Sequence, residues 1–136
     1  LSDRPPGSRC LDGMKTRRAI LGDAHVDRAT AGITDLDRDF QTLITESAWG
    51  TVWSNETISS RERSMITIAL LAALGHTDEL AMHIRATRKT GARPEDIREA
   101  LLHVAIYAGV PAANVAFKVA KQVLAEEPDP AESRDR

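Results

Sequence analysis

The segment GHTDELAMHIRATRKTG, residues 75–91, holds the side chains best placed for chemistry. Glu79 and His83 are four residues apart, which puts them one turn from each other on one face of a helix. Leu80, Ile84 and Thr87 make the rest of that stripe largely apolar, so the imidazole is read as partly desolvated and hydrogen-bonded. Two readings stand side by side. In one, His83 is a core histidine whose hydrogen bonds tie two helices together. In the other, Glu79 orients or recharges His83, and the imidazole moves a proton. His76 shares the face with Glu79 and His83, which raises a metal reading. A single helix face with His76 at the loop edge makes a poor closed site, so no metal is expected.

Arginines cluster before an apolar helix (Arg61, Arg63) and within the histidine helix (Arg85, Arg88). Arg88 reads as a solvated side chain. Arg63 and Arg85 adjoin segments read as buried, which makes them better suited to a bidentate grip on a carboxylate. His103 and Tyr107 are also four apart, a spacing that a structural hydrogen bond explains equally well. Asn55-Glu56-Thr57 fits a glycosylation sequon, read here as chance.

These residues need helices to position them, and helix punctuation is frequent. Asp35 is expected to cap a helix with the stripe Leu36, Phe40, Leu43, Ile44 and Ser47/Ala48. Ser59 and Glu62 read as a capping box. The helix they open, with MITIALLAALG at 65–75, is apolar on all sides and is expected to be buried all round. Thr77 is expected to cap the histidine helix, which ends at Gly91. Pro94 opens a helix burying Ile97, Leu101, Val104, Ala105 and Ala108. Pro111 opens the last, with the stripe Ala112, Val115, Ala116, Val119 and Val123. Shorter helical pieces cover residues 15–31. No stretch alternates with period 2. The expected fold is all-α, a bundle of about six to seven helices over residues 15–126, flanked by disordered segments at 1–14 and 127–136.

The chain has 136 residues, about one domain's worth. Its 18 Lys and Arg against 20 Asp and Glu give a net charge of −2, which argues against nucleic-acid and membrane partners. Only 5 residues are aromatic while 20 are alanine, a mixture that favours helices packed through small side chains. The single cysteine, Cys10, excludes an internal disulfide, a CxxC redox pair and a Cys-rich zinc site. With no spanning apolar run and no signal-peptide core, a soluble cytoplasmic protein is expected.

Taken together, RRAILGDAHVDRA (17–29), FQTLITESAWGTVW (40–53), RSMITIALLAALG (63–75) and ELAMHIRATRKTGARPEDIREALLHVAIYAGVPAANVAF (79–117) resemble the 4-carboxymuconolactone decarboxylases. The combination of HVDR, WGxxW, ELxxHxRA and IYxGxPAAN carries the likeness. The resemblance implies the alkylhydroperoxidase-D-like all-α fold, a homo-oligomer (trimer or hexamer) and a place in protocatechuate breakdown through the 3-oxoadipate route. Related peroxidases carry CxxCxxxH on the corresponding helix. Here His76 and Glu79 stand at the two cysteine positions, so disulfide exchange is not available.

The substrate so implied is a lactone dicarboxylate. Loss of CO2 from it leaves an electron pair that the conjugated ring delocalises to its own carbonyl, so no cofactor is expected. On this reading His83 donates the proton and Glu79 is its partner. Arg63 and Arg85, with Arg28 in reserve, bind the carboxylates. Trp49 and Trp53 exclude water, or simply pack between helices, a reading that explains them at least as well. Two alternatives stay open: another lyase or isomerase on the same fold, and a non-catalytic ligand-binding helical oligomer.

Overall fold

A computed structural model describes residues 7–128 and divides the chain into two compact units. The expected disorder at residues 1–6 and 129–136 lies outside the described residues. Among the described residues there is no strand, and no helix is long and apolar enough to cross a membrane. The all-α class and the number of helices agree with the expectation.

The described residues of the first unit run to Ile58. It holds α1 (Ser8–Leu21), α2 (Asp23–Ala31), α3 (Arg38–Ile44) and a π-helix (Thr45–Trp53). Residues 8–14, expected as part of a disordered extension, form the first two turns of α1. They are ordered by a close backbone approach, because Gly13 and Gly50 let α1 lie directly on the π-helix. A Cβ on Gly50 would stand 2.6 Å from the carbonyl of Arg9, and one on Gly13 would run into the carbonyl of Thr45. Gly13, Arg17, Ile20 and Leu21 form the buried side of α1, a 3–4 spacing.

The expected helix at Asp35 is corrected in two respects. Its N-cap is Asp37, whose carboxylate accepts from the Thr34 backbone N–H at 2.8 Å, while Asp35 pairs with Arg38. The apolar stripe is largely open to solvent in this chain: Leu36 is 94%, Phe40 57% and Leu43 60% exposed. Beyond Ile44 the helix widens to the π form. The Trp49 carbonyl there accepts from the Ser54 backbone N–H at 3.0 Å and from the Ser54 hydroxyl at 2.6 Å, the five-residue spacing of that helix type.

The second unit, Ser59–Pro128, holds α4 (Ser60–Leu74), α5 (Thr77–Thr90), α6 (Pro94–Tyr107) and α7 (Val110–Leu124). The capping box is present: Ser59 Oγ accepts from the Glu62 N–H at 3.1 Å, and the Glu62 carboxylate accepts from the Ser59 N–H at 3.0 Å. Gly75 and Gly91 end α4 and α5 with φ of +77° and +86°, a conformation glycine adopts without a Cβ penalty. The cap of α5 falls on His76, one residue before Thr77. The core joins Ile68, Leu80, Ile84, Ile97, Leu101 and Val104 to the alanine face of α7. That face is Ala113, Ala116, Ala120 and Val123; Val115, expected inside, is exposed, as is Ala108, the residue that caps the end of α6.

Helix α4 is apolar on two faces, and only one of them is covered within this chain. Ser64, Ile68 and Ala72 are buried, whereas Ile66, Leu70 and Leu74, also four apart, are exposed. The expectation that α4 is buried all round therefore fails for the single chain.

Candidate functional site

Helix α5 carries Glu79 in its first turn and His83 in its middle. His83 is 7% exposed, Leu80, Ile84 and Thr87 on the same stripe are buried, and the Nδ1 atom of His83 is closed to solvent. Glu79, one turn nearer the N-terminus, is exposed. The carboxylate therefore faces water while the imidazole sits inside. Asp78 and Glu79 also complement the positive end of the helix dipole.

Two residues along an α-helix turn its surface by about 200°, and this separates Arg85 from His83. Arg85 is exposed, not adjacent to the core as expected, and its guanidinium grips Glu126 through two bonds of 2.9 Å. Arg88 adds a bond of 3.0 Å to the Glu126 carbonyl. Arg85 holds the Glu126 carboxyl below its ordinary range. The side chain read as a substrate grip thus pins the end of α7. Arg63 is half-buried on α4, the helix packed against α5.

Arg61 makes a bidentate ion pair with the buried Asp96, a role its sequence position does not announce. Its fork meets Asp96 at 2.8 and 2.6 Å, and the Arg93 backbone N–H adds a third bond at 2.9 Å. The Arg61 guanidinium, with that N–H, holds the Asp96 carboxyl well below the usual carboxylate range. Nearby, the hydroxyls of Ser64 and Thr90 meet at 2.7 Å in the interior and fix α4 against the end of α5.

The second unit also has an apolar cavity of about 300 Å³ between the end of α4, the start of α5 and α7. Leu71, Leu74, Thr77 and Val115 contribute to its wall; Glu79 and His83 do not. His103 and Tyr107 are both exposed, with ring centroids 6.1 Å apart, and His103 meets the Glu99 carbonyl through its own helix.

Arg28, Trp49 and Trp53 belong to the first unit. Arg28 is exposed on α2. Trp49 is buried and Trp53 half-buried, with ring centroids 5.4 Å apart at an interplanar angle of 33°. Both lie on the π-helix, four residues apart and so on one side of it.

Arg17 was not singled out from the sequence, yet among the described residues of this unit it is a buried arginine. The available signal was periodicity, since residue 17 falls on the stripe with Gly13, Ile20 and Leu21.

Residues 38–122 match the Carboxymuconolactone decarboxylase family. Over 116 residues the chain is 41% identical to the 4-carboxymuconolactone decarboxylase of Acinetobacter baylyi, an alignment spanning 85% of this chain and 87% of that protein. Over 113 residues it is 36% identical to the nitrosuccinic acid decarboxylase of Metarhizium robertsii, spanning 83% and 79%. A stretch of 38 residues is 53% identical to a 4-carboxymuconolactone decarboxylase of Pseudomonas putida, spanning 28% and 79%.

Proposed function

Because the chain belongs to the carboxymuconolactone decarboxylase family, we propose that it is a carboxy-lyase converting 4-carboxymuconolactone to 3-oxoadipate enol-lactone. The observation that carries this reading is the 41% identity, over 85% of the chain, to a protein of that name. The placement of His83 is consistent with it.

In the proposed reaction the bond between the ring carbon and its carboxylate breaks and CO2 leaves. The electron pair passes through the C=C to the lactone carbonyl, giving a dienolate. A proton from His83 then forms the new C–H bond at the α-carbon. The ring is its own electron sink, so the chemistry asks of the protein only orientation, stabilisation of the oxyanion and a proton. A buried imidazole delivers that proton away from bulk water. Glu79, one turn nearer the surface, suits the recharging role better than the orienting one. Arg63 is the cation assigned to a substrate carboxylate, with Arg28 in reserve. Arg85 moves to a lesser place because Glu126 occupies its fork. Trp49 and Trp53 are assigned to water exclusion. Assembly into a homo-oligomer and action in the cytoplasm belong to the same proposal.

A second reading is favoured by one observation, the 36% identity to a nitrosuccinic acid decarboxylase. On that reading the family chemistry acts on a different carboxylate. Purified protein is assayed for CO2 release with the lactone and with nitrosuccinate in parallel. Turnover of the lactone supports the first reading. Turnover of nitrosuccinate alone replaces it with the second, and no release from either overturns both.

A further inference from the structure

The first unit contains a groove of about 360 Å³, near the small end of the roughly 300–1,000 Å³ range of ligand pockets. Arg17 and Arg38 line it together with Thr30, Gln41 and Thr42, over an apolar side that includes Met14. We infer that this groove is an anion site for a small dicarboxylate, with Arg17 as its inner cation and Arg38 as its outer one.

Arg17 carries the argument. It is 8% exposed, and a buried guanidinium ordinarily has a carboxylate to compensate its lost hydration. Its Nη1 instead reaches neutral acceptors at long range, Gln41 Oε1 at 3.3 Å and Thr45 Oγ1 at 3.5 Å. Its Nε is buried with no hydrogen-bond partner. Among the described residues no carboxylate lies within ion-pair distance of it. The next residue supplies the contrast: Arg18 is half-exposed, and yet it pairs with both Asp23 at 3.0 Å and Asp27 at 2.9 Å. The chain has thus supplied two carboxylates to the arginine that needs them less, and left the buried one facing a groove. Burial also lowers the Arg17 pKa, the mark of a cation that gains from an incoming anion.

Arg38 is exposed and paired with Asp35, whose side chain is 96% exposed. A pair that open to water is worth little, so a ligand carboxylate can compete for the guanidinium. Two planar forks on one groove favour two carboxylates over one. Gln41 and the threonine hydroxyls supply further hydrogen bonds. Inorganic phosphate shares the oxyanion chemistry and is the control.

The test is calorimetric titration of the full chain with succinate and, separately, with phosphate. Succinate binding is expected, weakened about tenfold or more by Arg17→Gln, severalfold by Arg38→Ala, and unchanged by Arg98→Ala, which removes an exposed arginine of α6. Absence of succinate binding overturns the inference, as does binding that Arg17→Gln and Arg38→Ala leave intact. Phosphate binding without succinate binding overturns the dicarboxylate assignment. If circular dichroism shows Arg17→Gln unfolded, Arg38→Ala and Arg17→Lys decide; the lysine variant is expected to keep the charge but lose affinity with the fork. The inference does not rest on the decarboxylase reading. His83→Ala is expected to keep succinate affinity while losing turnover, so the two ideas fail separately.

Discussion

At the scale of single residues, burial and charge set what His83 and Asp96 can do. An imidazole shut away from water is protected from competing proton donors, and a positioned general acid is worth about 10²–10⁴ in rate. His83→Ala is therefore expected to lower kcat for the proposed reaction by that factor with little change in KM, as measured by CO2 release. Wild-type turnover in a folded variant removes His83 from the mechanism. Asp96, Glu62 and Glu126 all have carboxyl pKa values below the ordinary range in the folded protein, through Arg61, the Ser59 backbone N–H and Arg85 respectively. The sign follows from linkage: the unfolded chain binds these protons more readily, so stability is complete above the unfolded values of about 4 and drains away as pH falls through the folded ones. Tm followed from pH 6 to pH 3 is expected to fall. In Asp96→Asn it is expected to start lower and to fall less steeply.

At the scale of elements, the contact of α1 with the π-helix depends on Gly13. Alanine there gains up to about 1 kcal/mol in helix propensity, but overpacking against a backbone carbonyl that cannot yield costs about 1–3 kcal/mol. The clash wins, and Gly13→Ala is expected to lower stability in urea unfolding. In the core of the second unit, Ile68→Ala is expected to cost about 2–5 kcal/mol by the same measurement. Local devices were readable from sequence: the Ser59–Glu62 box, the left-handed glycines at 75 and 91, and Pro94 at a helix start each depend on residues within one turn. The burial of His83 was readable for the same reason, through the stripe of Leu80, Ile84 and Thr87. The π-helix was not, because TESAWGTVW has no pattern that separates five-residue from four-residue hydrogen bonding. The Arg61–Asp96 pair spans 35 residues, and the bond of Arg85 to Glu126 spans 41. No local rule chooses such partners. The polar, proline-bearing start of the chain concealed the beginning of α1 at Ser8.

At the scale of the whole molecule, the row Ile66, Leu70 and Leu74 on α4 is an exposed apolar face, and Leu102, Ile106 and Val110 are exposed as well, the kind of surface that marks an interaction site where it is contiguous. A closed homo-oligomer would cover such rows. Sedimentation velocity is expected to give a species heavier than the 14.8 kDa protomer, and Leu70→Glu is expected to shift it toward that mass. A wild-type protein that sediments as one chain overturns the assignment. The uncovered row on α4 has a consequence for anyone who dilutes the protein. If its cover comes from a second copy, mass action makes heat resistance a function of concentration. Melting curves taken at micromolar and at nanomolar protein would then no longer superimpose.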